Sequence, residues 1–250
     1  MALAFRVIAR LDIKGDKLIK GVQMEGLRVI GDPNEYARRY AEEGADELLL
    51  LDTVASLYGR QSFLGTVETA ASQVFVPLTV GGGVRSLDDI RRLLAAGADK
   101  VAINTAAVAD PAFIGRAASY FGAQAIAVSV EAKRVNGGWE AYTEQGRTRT
   151  GRDAVLWAAE AAEMGAGEVI LTSIDRDGTR RGPDMGLGLA VAAQALRCPV
   201  VLGGGISSPQ DAATASVAVD ALAIGAALHQ GMTTIRQLKD GLTAAGREVR

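Results

Sequence analysis

The chain has 250 residues, of which 48% are hydrophobic and 22% charged, enough for a large core beneath a solvated surface. Its formal charge of -2 at pH 7 gives no electrostatic reason to expect a nucleic-acid or membrane partner. Cys198 is the single cysteine and His229 the single histidine, which excludes an intramolecular disulfide and argues against a zinc site. Because the amino terminus lacks a basic region followed by a long apolar run, we expect a cytoplasmic protein.

Short apolar runs alternate with amphipathic stretches from one end of the chain to the other. The runs are almost continuously apolar, which is typical of parallel strands covered on both faces. The predicted strands span residues 5–12, 47–52, 76–80, 100–104, 125–131, 168–173, 200–202 and 221–224.

Helix-start and helix-stop signals lie between these runs. Asp32 followed by Pro33 is a typical helix start, and Gly44 a typical stop. Ser86 and Asp89 have the spacing of a capping box. Further helices are predicted over 110–122, 152–164, 187–196, 209–216 and 234–245.

The second half of the chain repeats the first. Three consecutive glycines at 81–83 return at 203–205, 122 positions later, and segment 47–52 resembles segment 168–173. Eight strand-then-helix units with this symmetry predict an α/β fold, a single (β/α)8 TIM barrel over residues 1–250, built from two similar half-barrels.

Two features of this barrel point to a ligand site at its mouth. A strand that ends in glycines exposes backbone N–H groups that bind phosphate, so the repeat predicts two phosphate sites. Residues 14–31 and 134–151 are predicted to be irregular loops on the same face, where they are candidate lids.

Asp12 and its repeat mate Glu131 end opposite strands of the predicted barrel. Two carboxylates facing each other across the mouth suit paired acid and base roles, because separate environments push their pKa values apart. The alternative is that each forms an ion pair with a nearby cation such as Lys14 or Lys133.

Other polar residues and glycines follow the predicted strands and are candidates to bind an anionic substrate. For Lys20 the alternative is a solvated loop lysine, and for Asp177 and Gly178 it is an ordinary Asp-Gly turn. The candidates are Lys20, Asp52, Asn104, Thr105, Asp177 and Gly178.

Charged residues also stand where four strands begin, at the opposite end of the barrel. Arg6, Glu47, Lys100 and Glu168 are expected to converge there into a ring that plugs the pore. The alternative role is a stabilising salt-bridge cluster.

The motifs at these residues resemble those of the cyclase subunits of imidazole-glycerol-phosphate synthase, a histidine-biosynthesis family, over nearly the whole chain. The resemblance rests on Leu11-Asp-Ile-Lys, Thr79-Val-Gly-Gly-Gly and Leu171-Thr-Ser-Ile-Asp-Arg-Asp-Gly-Thr, among others. It implies that ammonia from a partner glutaminase converts a ring-opened phosphoribulosyl formimino-carboxamide ribonucleotide to imidazole glycerol phosphate and aminoimidazole carboxamide ribonucleotide. No metal or other cofactor is implied.

The resemblance also implies roles for individual residues. Asp12 and Glu131 would be catalytic, and the charged ring of Arg6, Glu47, Lys100 and Glu168 would be the gate for ammonia. Asp99 would lie on the surface that faces the glutaminase. The residues expected to bind the bis-phosphorylated substrate are Lys20 and Asp52, with Gly83, Asn104 and Thr105 at one phosphate and Asp177, Gly178, Gly204, Gly225 and Ala226 at the other.

Several residues around the ligand depart from the family pattern. Glu131 stands where the family has aspartate, which moves the carboxylate by roughly 1–1.5 Å, and a misplacement of about 1 Å can cost on the order of 100-fold in rate. Arg10 replaces the usual cysteine, and Ala102, Gly203 and Ala226 replace serines. Two alternatives therefore stay open: a paralogue that amidates a nucleotide-linked or surface-polysaccharide sugar, and a non-catalytic activator of a glutaminase.

Overall fold

The computed structural model describes residues 4–53 and 61–250. The predicted domain 1–250 thus includes ten residues, 1–3 and 54–60, that lie outside the described part. Its strands are β1 (Arg6–Lys14), β2 (Lys17–Val22), β3 (Glu25–Gly31), β4 (Glu47–Asp52), β5 (Leu78–Gly81), β6 (Lys100–Ile103), β7 (Ile126–Val135), β8 (Gly138–Thr143), β9 (Thr148–Asp153), β10 (Glu168–Ser173), β11 (Val200–Gly203) and β12 (Ala221–Ile224).

The helices lie between the strands. They are α1 (Pro33–Glu42), α2 (Gln61–Gln73), α3 (Leu87–Ala95), α4 (Thr105–Ala109), α5 (Ala112–Phe121), α6 (Ala154–Glu163), α7 (Met185–Ala192), α8 (Pro209–Ala215), α9 (Ala226–His229) and α10 (Ile235–Ala244), with a 3-10 turn at Ala123–Ala125. Among the described residues, no helix is long and apolar enough to cross a membrane.

Eight of the strands close into a parallel barrel in the order β1, β4, β5, β6, β7, β10, β11, β12. Pairing of β12 with β1 and of β7 with β10 completes the ring. The predicted TIM-barrel fold is confirmed. In this order β1 and β7 lie four strands apart, so they face each other across the barrel axis.

The half-barrel repeat is visible in the hydrogen bonds that begin the helices. Asp32 caps α1 by accepting two backbone N–H groups, and Asp153 caps α6 in the same way 121 residues later. Ser86 and Ser208 each start a capping box, on α3 and α8. Equivalent positions in the two halves therefore start equivalent helices.

Apolar side chains fill the barrel axis as well as the space between barrel and helices. Alternate residues of a strand face the axis, which along β1 places Arg6, Ile8, Arg10 and Asp12 inside. The residues of the axial cluster are Ile8, Leu49, Leu51, Ala102, Ala127, Ile170, Val201, Ala221 and Ala223.

The prediction of irregular loops at 14–31 and 134–151 is wrong. The first segment forms the hairpin β2–β3 paired antiparallel with β1, and the second forms β8–β9 paired with β7. Asn136 and Gly137 connect β7 to β8 with φ of 49° and 85°, the two positive values that a tight hairpin turn requires. That Asn-Gly pair was the overlooked sequence signal.

Other differences lie at element ends. Strands predicted at 76–80 and 125–131 begin at Leu78 and Ile126. The helix predicted at 110–122 begins at Ala112. Sequence patterns also missed α2 and the short helices α4 and α9, which are too brief to show a hydrophobic period.

Candidate active site

The larger cavity at the mouth has a volume of about 380 Å³ and lies against the first glycine turn. Gly82 has a φ of 113°, and a Cβ there would lie 2.3 Å from the carbonyl oxygen of Asp52, so only glycine fits. Gly83, the buried Asp52 and Glu131 also line the cavity. The predicted first anion site is therefore an open space bounded by backbone and carboxylates.

Asn104 and Thr105 line the same cavity, at the start of α4. The side-chain amide of Asn104 donates to the carbonyl oxygen of Tyr142 at 3.4 Å, while its buried Oδ1 has no hydrogen-bond partner among the described residues. A buried acceptor without a donor is costly, and a ligand hydroxyl or N–H group would satisfy it.

The second glycine turn borders a much smaller cavity of about 20 Å³. Gly204 has a φ of 102°, and a Cβ would lie 2.7 Å from the carbonyl oxygen of Ser173, as at the first turn. This volume holds about one water molecule. The residues that line it include Arg10, Asp177, Gly178, Gly204, Gly225 and Ala226. The two turns are alike in backbone, but only the first has room for a phosphate in this conformation.

A buried cluster of charges fills the mouth beside the smaller cavity. Lys20 projects from β2 and donates to Asp12 at 2.6 Å and to both oxygens of Asp177 at 2.9 and 3.0 Å. Arg10 donates through Nε to the other oxygen of Asp12 at 2.8 Å and through a terminal nitrogen to Thr172 at 3.0 Å. Lys20 thus ties the β2–β3 hairpin to the barrel, and it is not the solvated loop lysine of the alternative.

Asp12 and Glu131 have opposite electrostatic surroundings. Burial by itself would raise the pKa of Asp12, but the charges of Arg10 and Lys20 outweigh it and hold that pKa well below its ordinary value. Burial raises the pKa of Glu131 to about 7, although a hydrogen bond of 2.9 Å from the Gly146 N–H opposes this effect. The two carboxyl groups therefore differ in protonation state near neutral pH.

The alternative expectation, that Asp12 forms an ion pair, is confirmed, but its partner is not Lys14. Lys14 is exposed and makes no ion pair with Asp12 within the described structure, whereas Arg10 and Lys20 do. Lys133 lies over the ring of Tyr142 at 5.9 Å and does not pair with Glu131. Among the described residues, Glu131 therefore has a backbone N–H as its partner and no ion pair.

The four charged residues at the strand starts converge as expected. Arg6 contacts Glu47 at 3.0 Å and Glu168 at 2.6 Å, and Lys100 contacts each of these carboxylates at 2.7 Å. Both glutamates are buried. The charges alternate in sign around the axis, so the ring closes the pore beneath the axial apolar cluster.

Asp99 lies next to this ring, at the same end of the barrel. Its carboxylate accepts a hydrogen bond of 2.8 Å from the Leu78 N–H, and Asp220 does the same for Val200 in the second half-barrel. Asp99 therefore has a structural contact in addition to the interface role expected from the resemblance.

Comparison with known proteins assigns the chain to a family. The model of the histidine biosynthesis protein family matches residues 6–234. The chain belongs to this family. Imidazole glycerol phosphate synthase subunit HisF of Legionella pneumophila is 55% identical over 207 residues, which cover 82% of this chain and 97% of that protein. The chain is therefore a homologue of HisF.

Sequence reasoning missed several residues that line the mouth of this histidine-biosynthesis barrel. Ser129 and Gln145 line the larger cavity, as does the exposed Arg85. Arg10 was noted only as a departure from the family pattern. Its place in the alternation of β1, two residues before Asp12, was the signal that its side chain points inward.

The raised pKa of Glu131 predicts a dependence of stability on pH. Because the folded-state pKa of about 7 lies above the reference value of 4.5, the proton stabilises the fold below about pH 4.5, and this stabilisation is lost as the pH rises through 7. We expect the free energy of unfolding of Glu131→Gln, relative to the unmodified protein, to rise over this interval in urea denaturation.

Glu163→Gln is the matched control, since Glu163 is exposed at the end of α6. Its difference from the unmodified protein should stay constant with pH. A constant difference for Glu131→Gln as well would mean that Glu131 titrates as an ordinary solvated carboxyl group.

Proposed function

We propose that this chain is the cyclase subunit of an imidazole-glycerol-phosphate synthase. It would use ammonia to convert the ring-opened phosphoribulosyl formimino-carboxamide ribonucleotide to imidazole glycerol phosphate and aminoimidazole carboxamide ribonucleotide. The observation that carries this proposal is the pair of buried carboxyl groups, Asp12 with two ion-pair partners and Glu131 with a backbone N–H, placed on opposite strands between two glycine turns. Kinship with HisF supports it.

The two carboxyl groups would divide the proton transfers of the reaction. Asp12, held ionised by its cations, would accept a proton or stabilise a developing positive charge. Glu131, with a pKa of about 7, would donate and recover a proton at working pH, which is the range where general acid–base catalysis is most efficient. Exclusion of water by the two hairpins would strengthen both effects.

The substrate would span the mouth, with one phosphate at each glycine turn. Lys20 would leave Asp177 for the second phosphate, since the smaller cavity holds only about one water molecule while Lys20 bridges the carboxylates. Asp52 would orient the substrate beside the first turn. The proposed phosphate ligands are Gly83, Asn104 and Thr105 at the first turn and Asp177, Gly178, Gly204, Gly225 and Ala226 at the second.

Ammonia would reach the site along the barrel axis. The proposed source is a glutaminase bound at the strand-start end, near Asp99, and the proposed gate is the ring of Arg6, Glu47, Lys100 and Glu168. The axial cluster above the ring is apolar, which favours passage of neutral ammonia over the ammonium ion. A heterodimer with a glutaminase is consistent with the name of the HisF relative.

A second candidate keeps the ammonia route but changes the acceptor. It is favoured by Arg10, whose guanidinium occupies the mouth beside the smaller cavity. An acceptor with an anionic group at only one end, such as a sugar that becomes amidated, would need no second phosphate site. The assays below separate the two candidates.

Asp12→Asn is expected to lower turnover of the ring-opened nucleotide by about 100-fold or more, because it removes the ionised carboxylate. Purified protein is given ammonium chloride at high pH, and the loss of substrate absorbance is followed. Asp16→Asn is the control, since Asp16 is an exposed residue of the turn between β1 and β2. Absence of turnover by the unmodified chain, with normal activation of its glutaminase, would contradict the proposal and leave the two alternatives, a different acceptor or a non-catalytic activator.

Lys100→Met should uncouple the complex with the glutaminase. Loss of this cation leaves Glu47 and Glu168 partly unpaired at the pore. We expect glutamine hydrolysis to continue while less of the released ammonia reaches product, and turnover with external ammonium to be retained. Arg91→Met, which removes an exposed ion pair on α3, should leave the coupling intact. Equal losses with glutamine and with ammonium would argue against a gate.

A further inference from the structure

Arg10 is the buried cation of the mouth that the proposed reaction leaves without a role. Only 3% of its surface is exposed. It lies on β1, two residues before Asp12, and its guanidinium reaches sideways to Thr172 on β10. The side chain therefore has one anchor on its own strand and a second on a strand three places away around the barrel.

The two contacts of Arg10 fix its orientation. Nε donates to Oδ1 of Asp12 at 2.8 Å, and one terminal nitrogen donates to the hydroxyl of Thr172 at 3.0 Å. A planar guanidinium held at two points cannot rotate without breaking one of them. The charge-assisted contact in turn fixes the carboxylate of Asp12, because Oδ1 and Oδ2 are engaged from different sides.

Lys20 also pairs with Asp12, but its position is less secure. It lies on the β2–β3 hairpin and shares its charge with Asp177. In the proposed function, Lys20 moves to the second phosphate when substrate binds. The contact of Arg10 with Asp12 does not depend on that movement.

The other groups around Asp12 do not replace Arg10. Asp177 and Glu131 carry the same sign of charge as Asp12 when ionised. His229 on α9 is mostly buried, and burial lowers its pKa to about 4, so it is neutral near pH 7. Without Arg10, the buried carboxylate of Asp12 would depend for its opposite charge on Lys20, which it shares with Asp177.

We propose that Arg10 is a positioning residue, which holds the Asp12 carboxylate in one orientation and in its ionised form, from which it accepts a proton, while Glu131 serves as the proton donor. This inference rests on the proposed function for the identity of the two reacting carboxylates. The arrangement requires an arginine two residues before the aspartate and a hydroxyl at position 172. Arg10 acts through Asp12, so it is not itself a catalytic residue.

The test is a titration of the Asp12 carboxyl carbon by ¹³C NMR in Arg10→Met, with the signal assigned by its loss in Asp12→Asn. Removal of an opposite charge at this distance should raise the Asp12 pKa by about 1 to 3. Arg10→Lys, which keeps the charge but cannot contact both partners, should give a smaller rise. Lys14→Met removes an exposed lysine of the same strand and should change nothing.

Kinetics give a second readout. In Arg10→Met, the acid limb of the kcat/KM profile should move to higher pH, and kcat should fall with little change in KM. An unchanged Asp12 titration would overturn the proposal, as would a rise in KM alone, which would make Arg10 a substrate ligand instead.

Thr172→Val keeps the test decisive if Arg10→Met does not fold. This variant removes only the second anchor of Arg10. Thr172→Val and Arg10→Lys, tested as separate variants, should each raise the Asp12 pKa, as Arg10→Met does. Normal titration in both would overturn the proposal. Because NMR needs no turnover, failure of the nucleotide assay would reject the proposed function while leaving the titration result interpretable.

Discussion

The pairing of buried charges at the barrel mouth is the constraint on which the rest of the site depends. Asp12, Asp177, Arg10 and Lys20 are all nearly inaccessible to water, so each needs an opposite charge within hydrogen-bond distance. Lys20 meets this need for both aspartates and so fastens the β2–β3 hairpin over the barrel. The hairpin position, the size of the smaller cavity and the ionised state of Asp12 all follow from that one contact set.

The half-barrel repeat provides two similar glycine turns, but it does not give the two mouth carboxylates similar surroundings. The glycine turns, the helix caps and the aspartates that join strand starts recur about 121 residues apart. The repeat mate of Arg10, however, is Ser129, which carries no charge. Asp12 therefore has a cation two residues away on its strand and Glu131 has a hydroxyl. Divergence at this pair of positions, together with Lys20 on the Asp12 side, separates the pKa values that an acid and a base require.

Much of the fold was predictable because buried parallel strands and capped helices have strong local signals. The repeat then predicts which strands lie opposite each other in the barrel. It therefore also predicts that Asp12 and Glu131 face each other across the mouth. The hairpins were missed because their strands are short and polar on one side, although Asn136-Gly137 marks one turn. The partners of Asp12 were not predictable from the pattern, which favoured the nearby Lys14 as its ion-pair partner and assigned Lys20 to the substrate. Only the pairing of β2 with β1 buries one lysine and exposes the other.

The location of bound inorganic phosphate is the most direct test. The central claim is that the mouth has two anion sites and that Lys20 leaves Asp177 when the second site is filled. Crystals grown with phosphate at increasing concentration should contain one ion at Gly83, Asn104 and Thr105 and, at higher concentration, a second at Gly204 and Gly225. Lys20 should then be separated from Asp177. A single phosphate at saturation, with Lys20 still bridging Asp12 and Asp177, would contradict the account and leave the second turn without an anion to bind.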